Sequence, residues 1–170
     1  MATHFIADTH FFHPEIITIC GRPFVNIDAM HEALIRYWND VIESDDEVYV
    51  VGDFATATLE QIHSVLKSLN GKKYLVMGNH DTHTVEEYYL AGFDRVYDHP
   101  IILEEFWIIS HEPMFMNHSI PYVNIFGHVH NSPLYYDYSK KHFCVCAERI
   151  NYKPISFDSI REIIGKEYRK

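Results

Sequence analysis

The sequence predicts one α/β domain in which two packed sheets carry helices on the outside. Three observations lead there. Strand-like and helix-like patterns alternate up to Phe93, short strand-like runs dominate beyond it, and five apolar runs each stop at Asp, Asn or His. An alternating β–α order implies right-handed crossovers and a parallel sheet. In such sheets ligands bind beyond the carboxyl ends of the strands. The 170 residues suit a single domain, 47% hydrophobic residues suffice for its core, and no linker, repeat or low-complexity segment divides the chain.

Residues 4 to 8 read as the first strand, with Phe5-Ile6-Ala7 ending in Asp8-Thr9-His10. A polar-aromatic loop follows, in which Pro14 opens a short helix and Gly21 ends it. This loop is expected to form one wall of a site. Residues 28 to 42 form an amphipathic helix, because Met30, Ala33, Leu34, Tyr37, Trp38 and Val41 share one face, with Asn26 or Asp28 as cap. Ser44-Asp45-Asp46 breaks it, and the strand Glu47 to Val51 runs into Gly52-Asp53. A helix at 58 to 69 carries Leu59, Ile62, Val65, Leu66 and Leu69, and Asn70-Gly71 supplies its left-handed stop. The third strand, 73 to 77, runs into Gly78-Asn79-His80-Asp81, with Gly78 turning the backbone where a Cβ would clash. A short helix at 84 to 91 ends at Gly92. Strands are then expected at 94–97, 101–104, 106–110, 123–126, 134–138 and 142–147, and a last helix at 157–165. Of these, 106–110 ends in Ser110-His111 and 123–126 in Gly127-His128-Val129-His130.

Composition excludes several classes. Lys and Arg total 14 against 24 Asp and Glu, a formal charge of −10, which disfavours binding long nucleic acids through their backbone. Small phosphate ligands held by bound cations stay open. Three cysteines without framework spacing argue against a disulfide-stapled secreted domain. Cys144 and Cys146 face the same way in a strand, as core packing requires. The N-terminus lacks a signal-peptide pattern and no apolar run reaches membrane-spanning length, so the expected setting is cytoplasmic. His31, His63, His83, His99 and His142 sit in no motif and read as surface histidines.

The chemistry gathers at the strand ends. Asp8 and His10, two residues apart, are expected to project to one side and share a cation. Asp53 can bridge two cations through its two oxygens, Asn79 offers an amide oxygen, and His111, His128 and His130 offer nitrogens. Any one of these alone reads more readily as a cap or turn residue. Buried together at strand ends without metal, they would leave costly unpaired polar groups. The mixed N/O donor set suits Mn²⁺ first, then Fe, Zn²⁺, Co²⁺ or Ni²⁺, rather than Ca²⁺ or a Cys-rich zinc site.

The ordered set D-x-H, G-D, G-N-H-D, a lone His and G-H-x-H, spread over residues 8 to 130, resembles the calcineurin-like metallophosphoesterases of the small, cap-less, bacterial or phage type. The resemblance implies a four-layer αββα sandwich of two mixed sheets flanked by helices. It also implies an allotment: Asp8, His10, Asp53 and His130 on one ion, and Asp53, Asn79, His111 and His128 on the other. The implied reaction is in-line hydrolysis of a small phosphodiester or phosphomonoester, such as a nucleotide, by a metal-bridging hydroxide. Two ions about 3.5–4 Å apart would clamp the attacking and leaving sides. His80 takes the family role of general acid or phosphoryl donor, and Asp81 is expected to orient it from the other ring nitrogen, or else to serve as a cap. Arg22 and His13, in the loop after the first motif, are candidate substrate-binding residues, Arg22 by forking a phosphate. Asn117 and His118 are weaker candidates.

Two departures narrow the reading. No arginine follows Gly52-Asp53, where Phe54-Ala55-Thr56 stands, which disfavours a protein phosphatase and favours diesters. The chain leaves no room for a cap domain, so specificity falls to the loops 11–26 and 112–122 or to a homo-oligomer partner. The alternative is a non-catalytic metal-binding scaffold on the same fold, against which the intact His80 speaks. A metallo-β-lactamase reading needs H-x-H-x-D-H, which is absent.

Overall fold

The computed structural model of the chain describes residues 1–117, 119–135 and 139–168. The chain runs β1 (Thr3–Ile6), α1 (Glu15–Ile19), α2 (Ile27–Asn39), β2 (Glu47–Val50), α3 (Leu59–Ser68), β3 (Lys72–Val76), α4 (Val85–Ala91) and β4 (Arg95–Tyr97). It continues with β5 (Ile101–Leu103), β6 (Trp107–Ser110), β7 (Val123–Phe126), β8 (His142–Cys144), β9 (Ile155–Ser156) and α5 (Phe157–Tyr168). Two mixed sheets result. The first has order β4-β3-β2-β1-β9, parallel except for β9, and the second has order β5-β6-β7-β8, parallel except for β5.

Alternation along the central strands builds two cores. Ile6, Val48, Val50 and Leu75 face the helices, where they meet Met30, Leu34, Trp38, Ile62 and Leu66. Phe5, Tyr49, Val51, Tyr74 and Val76 point the other way and meet Ile109, Val123 and Ile125 of the second sheet. Residues buried on both faces explain why these strands read as unbroken apolar runs. Each large side chain so buried contributes roughly 1.5–3 kcal/mol. Helix α5 ties the sheets together, since Phe157 packs edge-on against Phe5 at 5.3 Å and Trp107 at 5.0 Å.

The local signals act as their chemistry requires. Asn26 accepts from the Ala29 N–H as N-cap of α2, and Thr58 and Thr84 form capping boxes with Gln61 and Glu87. The expected strand at 134–138 is not formed where it is described: Pro133–Tyr135 is a 3₁₀ turn, consistent with a proline that cannot donate to a ladder, and 136–138 lie outside the described residues. The strand expected at 142–147 stops at Cys144, and Ala147–Ile150 forms a second 3₁₀ turn. Strand β9 is too short to leave a periodic signal. Among the described residues no helix is long and apolar enough to cross a membrane.

Candidate metal centre

The carboxyl ends of β1, β2, β3, β6 and β7 meet at one edge of the sandwich, and Asp8, His10, Asp53, Asn79, His111, His128 and His130 all lie just beyond them. The reason Asp8 and His10 converge differs from strand alternation. Strand β1 stops at Ile6, and Asp8 (φ 58°) and His10 (φ 50°) adopt left-handed backbone. Asp53 (φ 55°), His128 (φ 69°) and His130 (φ 47°) do the same. Non-glycine residues rarely occupy this region, and five of the ten described residues that do so here are these site candidates. The loops are tied to each other: Asp8 N–H donates to Gly52 O at 3.0 Å, His10 N–H to Asp53 O at 3.0 Å, and the Thr9 hydroxyl to Phe54 O at 2.8 Å.

Two glycines make the close approach possible. A Cβ on Gly52, which sits at φ 83°, would lie 2.2 Å from His111 Nδ1. A Cβ on Gly78 would lie 2.4 Å from Asp53 Oδ1. The sequence reading of Gly78 as a point of steric clearance therefore holds, and the clearance is for the Asp53 carboxylate.

Asp53 occupies the middle. Its Oδ1 accepts the His80 N–H at 2.8 Å, which leaves Oδ2 3.5 Å from His10 Nε2 and 3.4 Å from His111 Nε2. On one side His130 Nε2 stands 3.8 Å from Asp8 Oδ1. On the other, Asn79 Oδ1 is 3.0 Å from both His111 Nε2 and His128 Nδ1, and those two nitrogens are 3.2 Å apart. Asp8 with His10 and His130, and Asp8 with Asp53 and His111, form groups whose donor atoms converge closely enough to hold a cation.

Several groups fit a metal better than they fit each other. His10 Nε2 is buried and has no hydrogen-bond partner, a costly condition for an imidazole unless a cation takes its lone pair. Burial pushes the His10 pKa down to about 3, so the ring is neutral as a ligand must be. His13 Nδ1 lies 3.1 Å from His10 Nδ1, which engages the far nitrogen and leaves Nε2 aimed at Asp53. His111 Nδ1 donates to Val51 O at 2.9 Å, again leaving Nε2 for the centre. Burial pulls His111 and His130 down, but hydrogen bonds and nearby charges outweigh it. Hydrogen bonding and charge from Asp53 and Asp8 raise His111 to about 9. Cys20, Glu148 and Asp8 raise His130 to about 10. Burial pushes Asp53 up, and the His111 hydrogen bond overrides it to hold that carboxyl at about 2. The carboxylates demand positive charge here, and protonated imidazoles meet that demand when no cation does.

Two expectations are corrected. Arg22 does not reach for a substrate. Its guanidinium is 0% exposed, donates to Asp8 O at 2.6 Å, Thr9 O at 2.9 Å and Glu148 Oε1, and makes a 2.7 Å ion pair with Glu148. A cation in a loop packed against α2 is drawn to backbone carbonyls and a buried carboxylate rather than to solvent. Nor does Asp81 orient the His80 ring. Its Oδ2 accepts the N–H groups of Asp53 at 2.8 Å and Gly78 at 2.9 Å, and Oδ1 that of Phe54 at 3.0 Å. Burial raises its pKa to about 6 even so. Asp81 clamps the β2 and β3 loops together beneath the centre.

His80 is exposed at the mouth of the cluster, its ring centroid 5.2 Å from that of His10 and 5.7 Å from that of His13. Beside Asn79 and His111 opens a cleft of about 400 Å³ walled by Met77, Pro100, Pro113 and Met114, with Asp98 and Glu112 at its rim. Of the histidines read as surface residues, His31 accepts the Phe12 N–H at 2.8 Å and so braces the loop after the first motif. Asn117 is exposed and accepts the Ser119 N–H, while His118 lies outside the described residues.

Glu148 was not legible as a site residue. It follows β8 without a neighbouring histidine or glycine, the signal that marked the others. Only its place just past the carboxyl end of a strand beside β7 hints at it. In the fold its Oε1 accepts His130 Nδ1–H at 3.1 Å, and His130 and Arg22 hold its pKa at about 2 against burial.

Comparison with known proteins shows the family and the fold. A model of the family described as calcineurin-like phosphoesterase matches residues 1–163. An uncharacterized protein of Methanocaldococcus jannaschii is 31% identical over 96% of this chain and 91% of its own length. The gene 66 protein of Mycobacterium phage L5 is 34% identical over 46% of this chain and 39% of its own. The crystal structure of a protein of unknown function from Aquifex aeolicus superposes with a TM-score of 0.74 at 27% identity, covering 95% of this chain and 98% of that one.

Proposed function

The chain belongs to the calcineurin-like phosphoesterase family, and from that premise we propose that it hydrolyses a small phosphoester, a diester in preference to a monoester, with two divalent transition-metal ions. Asp8, His10, Asp53 and His130 would hold one ion, and Asp53, Asn79, His111 and His128 the other, with Mn²⁺ first among the candidates. The observation that carries this reading is Asp53 Oδ2, which stands 3.5 Å from the unpartnered His10 Nε2 and 3.4 Å from His111 Nε2. Bound ions supply Lewis-acid stabilisation of phosphoryl oxygens and activate a water.

The remaining work falls to the chain. Asp81 holds the Asp53 and Gly78 backbones in register, and the His80 N–H holds Asp53 Oδ1, which leaves Oδ2 toward His10 and His111. His80, exposed above His10, donates a proton to the departing oxygen. The cleft beside Asn79 receives the leaving group. No Lys or Arg occurs among the described residues lining it, and Asp98 and Glu112 rim it. With Arg22 turned inward, little positive charge remains to attract a second anionic group. This favours a singly charged diester with an uncharged leaving group.

The test is turnover of bis-p-nitrophenyl phosphate against p-nitrophenyl phosphate by the Mn²⁺-loaded chain, read as kcat/KM. A higher value for the diester is expected. A strong monoester preference overturns the diester reading. Metal binding without hydrolysis of any ester supports the non-catalytic scaffold instead.

A further inference from the structure

Cys144 and Cys146 meet with their sulfurs 3.2 Å apart, and both are free thiols. Their surroundings differ. Cys146 is completely buried and bridges in parallel to Ala7, the residue before Asp8. Ala7 N–H donates to Val145 O at 2.8 Å, and Ala147 N–H donates to Ala7 O at 3.0 Å. The Asp8 carboxylate is carried one residue beyond the strand position that Cys146 pins. That carboxylate accepts the His128 N–H, at 2.9 Å to Oδ2 and 3.1 Å to Oδ1. Cys144 is only half-buried and lines a cleft of about 180 Å³ together with Ser139, His142 and Arg149. One sulfur therefore borders a polar opening, and the other belongs to a residue whose backbone pairs next to a candidate metal ligand.

We propose that Cys144 and Cys146 form a reversible oxidation site, closed to a disulfide by a small organic disulfide and weakening metal binding at Asp8. The inference rests on the reading of Asp8 as a ligand. Core packing alone accounts for two inward-facing sulfurs, but not for their approach to 3.2 Å beside the bridge to Ala7. Neither sulfur belongs to the groups of donor atoms that converge on a cation position among the described residues.

The exchange balances with a disulfide R–S–S–R as oxidant. The Cys144 sulfur attacks one sulfur of R–S–S–R, the S–S bond breaks, and the first R–S⁻ leaves with the Cys144 proton as R–SH. The Cys146 sulfur then attacks Cys144, and the second R–S⁻ leaves with the Cys146 proton. The two thiols lose two electrons and two protons, and R–S–S–R becomes two R–SH. The sulfurs close from 3.2 Å to a bond of about 2.05 Å. Drawing Cys146 toward Cys144 shifts the bridge to Ala7 and with it the placement of Asp8. Outer partners that orient a ligand are worth about 10–100-fold in metal affinity.

The test treats the full chain with glutathione disulfide and follows two readouts: peptide mass mapping of the thiols, and Mn²⁺ affinity by calorimetry. A Cys144–Cys146 linkage is expected, with Mn²⁺ affinity lowered about tenfold or more and restored by dithiothreitol. Cys144→Ser should bind Mn²⁺ like the unmodified chain and lose the response to oxidant. Cys20→Ser should still form the linkage. Absence of the linkage, or a linkage that leaves Mn²⁺ affinity unchanged, overturns the proposal. A reduced chain that binds no divalent cation removes the reading of Asp8 as a ligand, and the proposal with it, whatever the mass map shows.

Discussion

Glu148 accepts the Nδ1–H of His130 at 3.1 Å, and this contact turns His130 Nε2 toward Asp8 at 3.8 Å. A carboxylate behind a ligating histidine fixes its tautomer and raises its basicity. Glu148→Ala is therefore expected to weaken the ion held by Asp8, His10 and His130 by about 10–100-fold. Calorimetric titration with Mn²⁺ reads this as one weakened site and one unchanged. Two unchanged sites would leave Glu148 without a role at the centre.

Arg22 has a structural part. Its guanidinium and the Glu148 carboxylate are 0% and 5% exposed, and removing one partner of a buried pair costs about 3–5 kcal/mol. Arg22→Ala should lower the midpoint of urea unfolding by that amount of stability. A variant of normal stability with only a raised KM would return Arg22 to substrate binding.

Metal binding should release protons. His111 at about 9 and His130 at about 10 both carry a proton at pH 7 in the metal-free chain. A cation must displace them, so affinity rises with pH until it passes those values. The sign for stability follows from the same shifts. Both values are raised above the ordinary 6.5, so the stability they contribute is full below 6.5 and is lost as pH rises through 9 to 10. The metal-free chain should weaken over that window while the loaded chain does not. Calorimetry in buffers of different ionisation enthalpy counts the protons: about two per chain at pH 7 are expected, and none would contradict this charge balance.

The metal-ligand candidates were legible because each ends an apolar run, and a strand buried on both faces advertises itself, as Val48-Tyr49-Val50-Val51 does before Gly52-Asp53. What could not be read was direction. Arg22 lies in a polar loop, and nothing local says that its side chain turns inward to a carboxylate 126 positions away. Asp81 follows His80 directly, yet its oxygens serve Asp53 and Phe54 across a strand gap, a contact made only by the parallel pairing of β2 with β3. The left-handed backbone at Asp8 and His10 was also hidden, since neither residue type demands it. Strand β9 pairs through two residues and so leaves no period to detect.

His80 separates acid catalysis from metal binding. A nitrophenolate leaves readily as an anion, whereas an alkyl or ribose oxygen needs a proton. His80→Ala should keep both ions, lose little rate on nitrophenyl esters, and lose about 10²–10⁴-fold on alkyl or nucleoside esters. Measuring kcat/KM across a leaving-group series, with metal content checked, reads the pattern. An even loss across the series would point to a phosphoryl-oxygen donor, and metal loss to a ligand.

Asp53 is expected to join two cations between His10 and His111. Anomalous diffraction from Mn²⁺-soaked crystals addresses it without reference to any substrate. Two peaks flanking Asp53 Oδ2, about 3.5–4 Å apart, are predicted, one facing His10 and the other His111. A single peak, or two peaks of which one does not touch Asp53, would rule out Asp53 as the shared ligand.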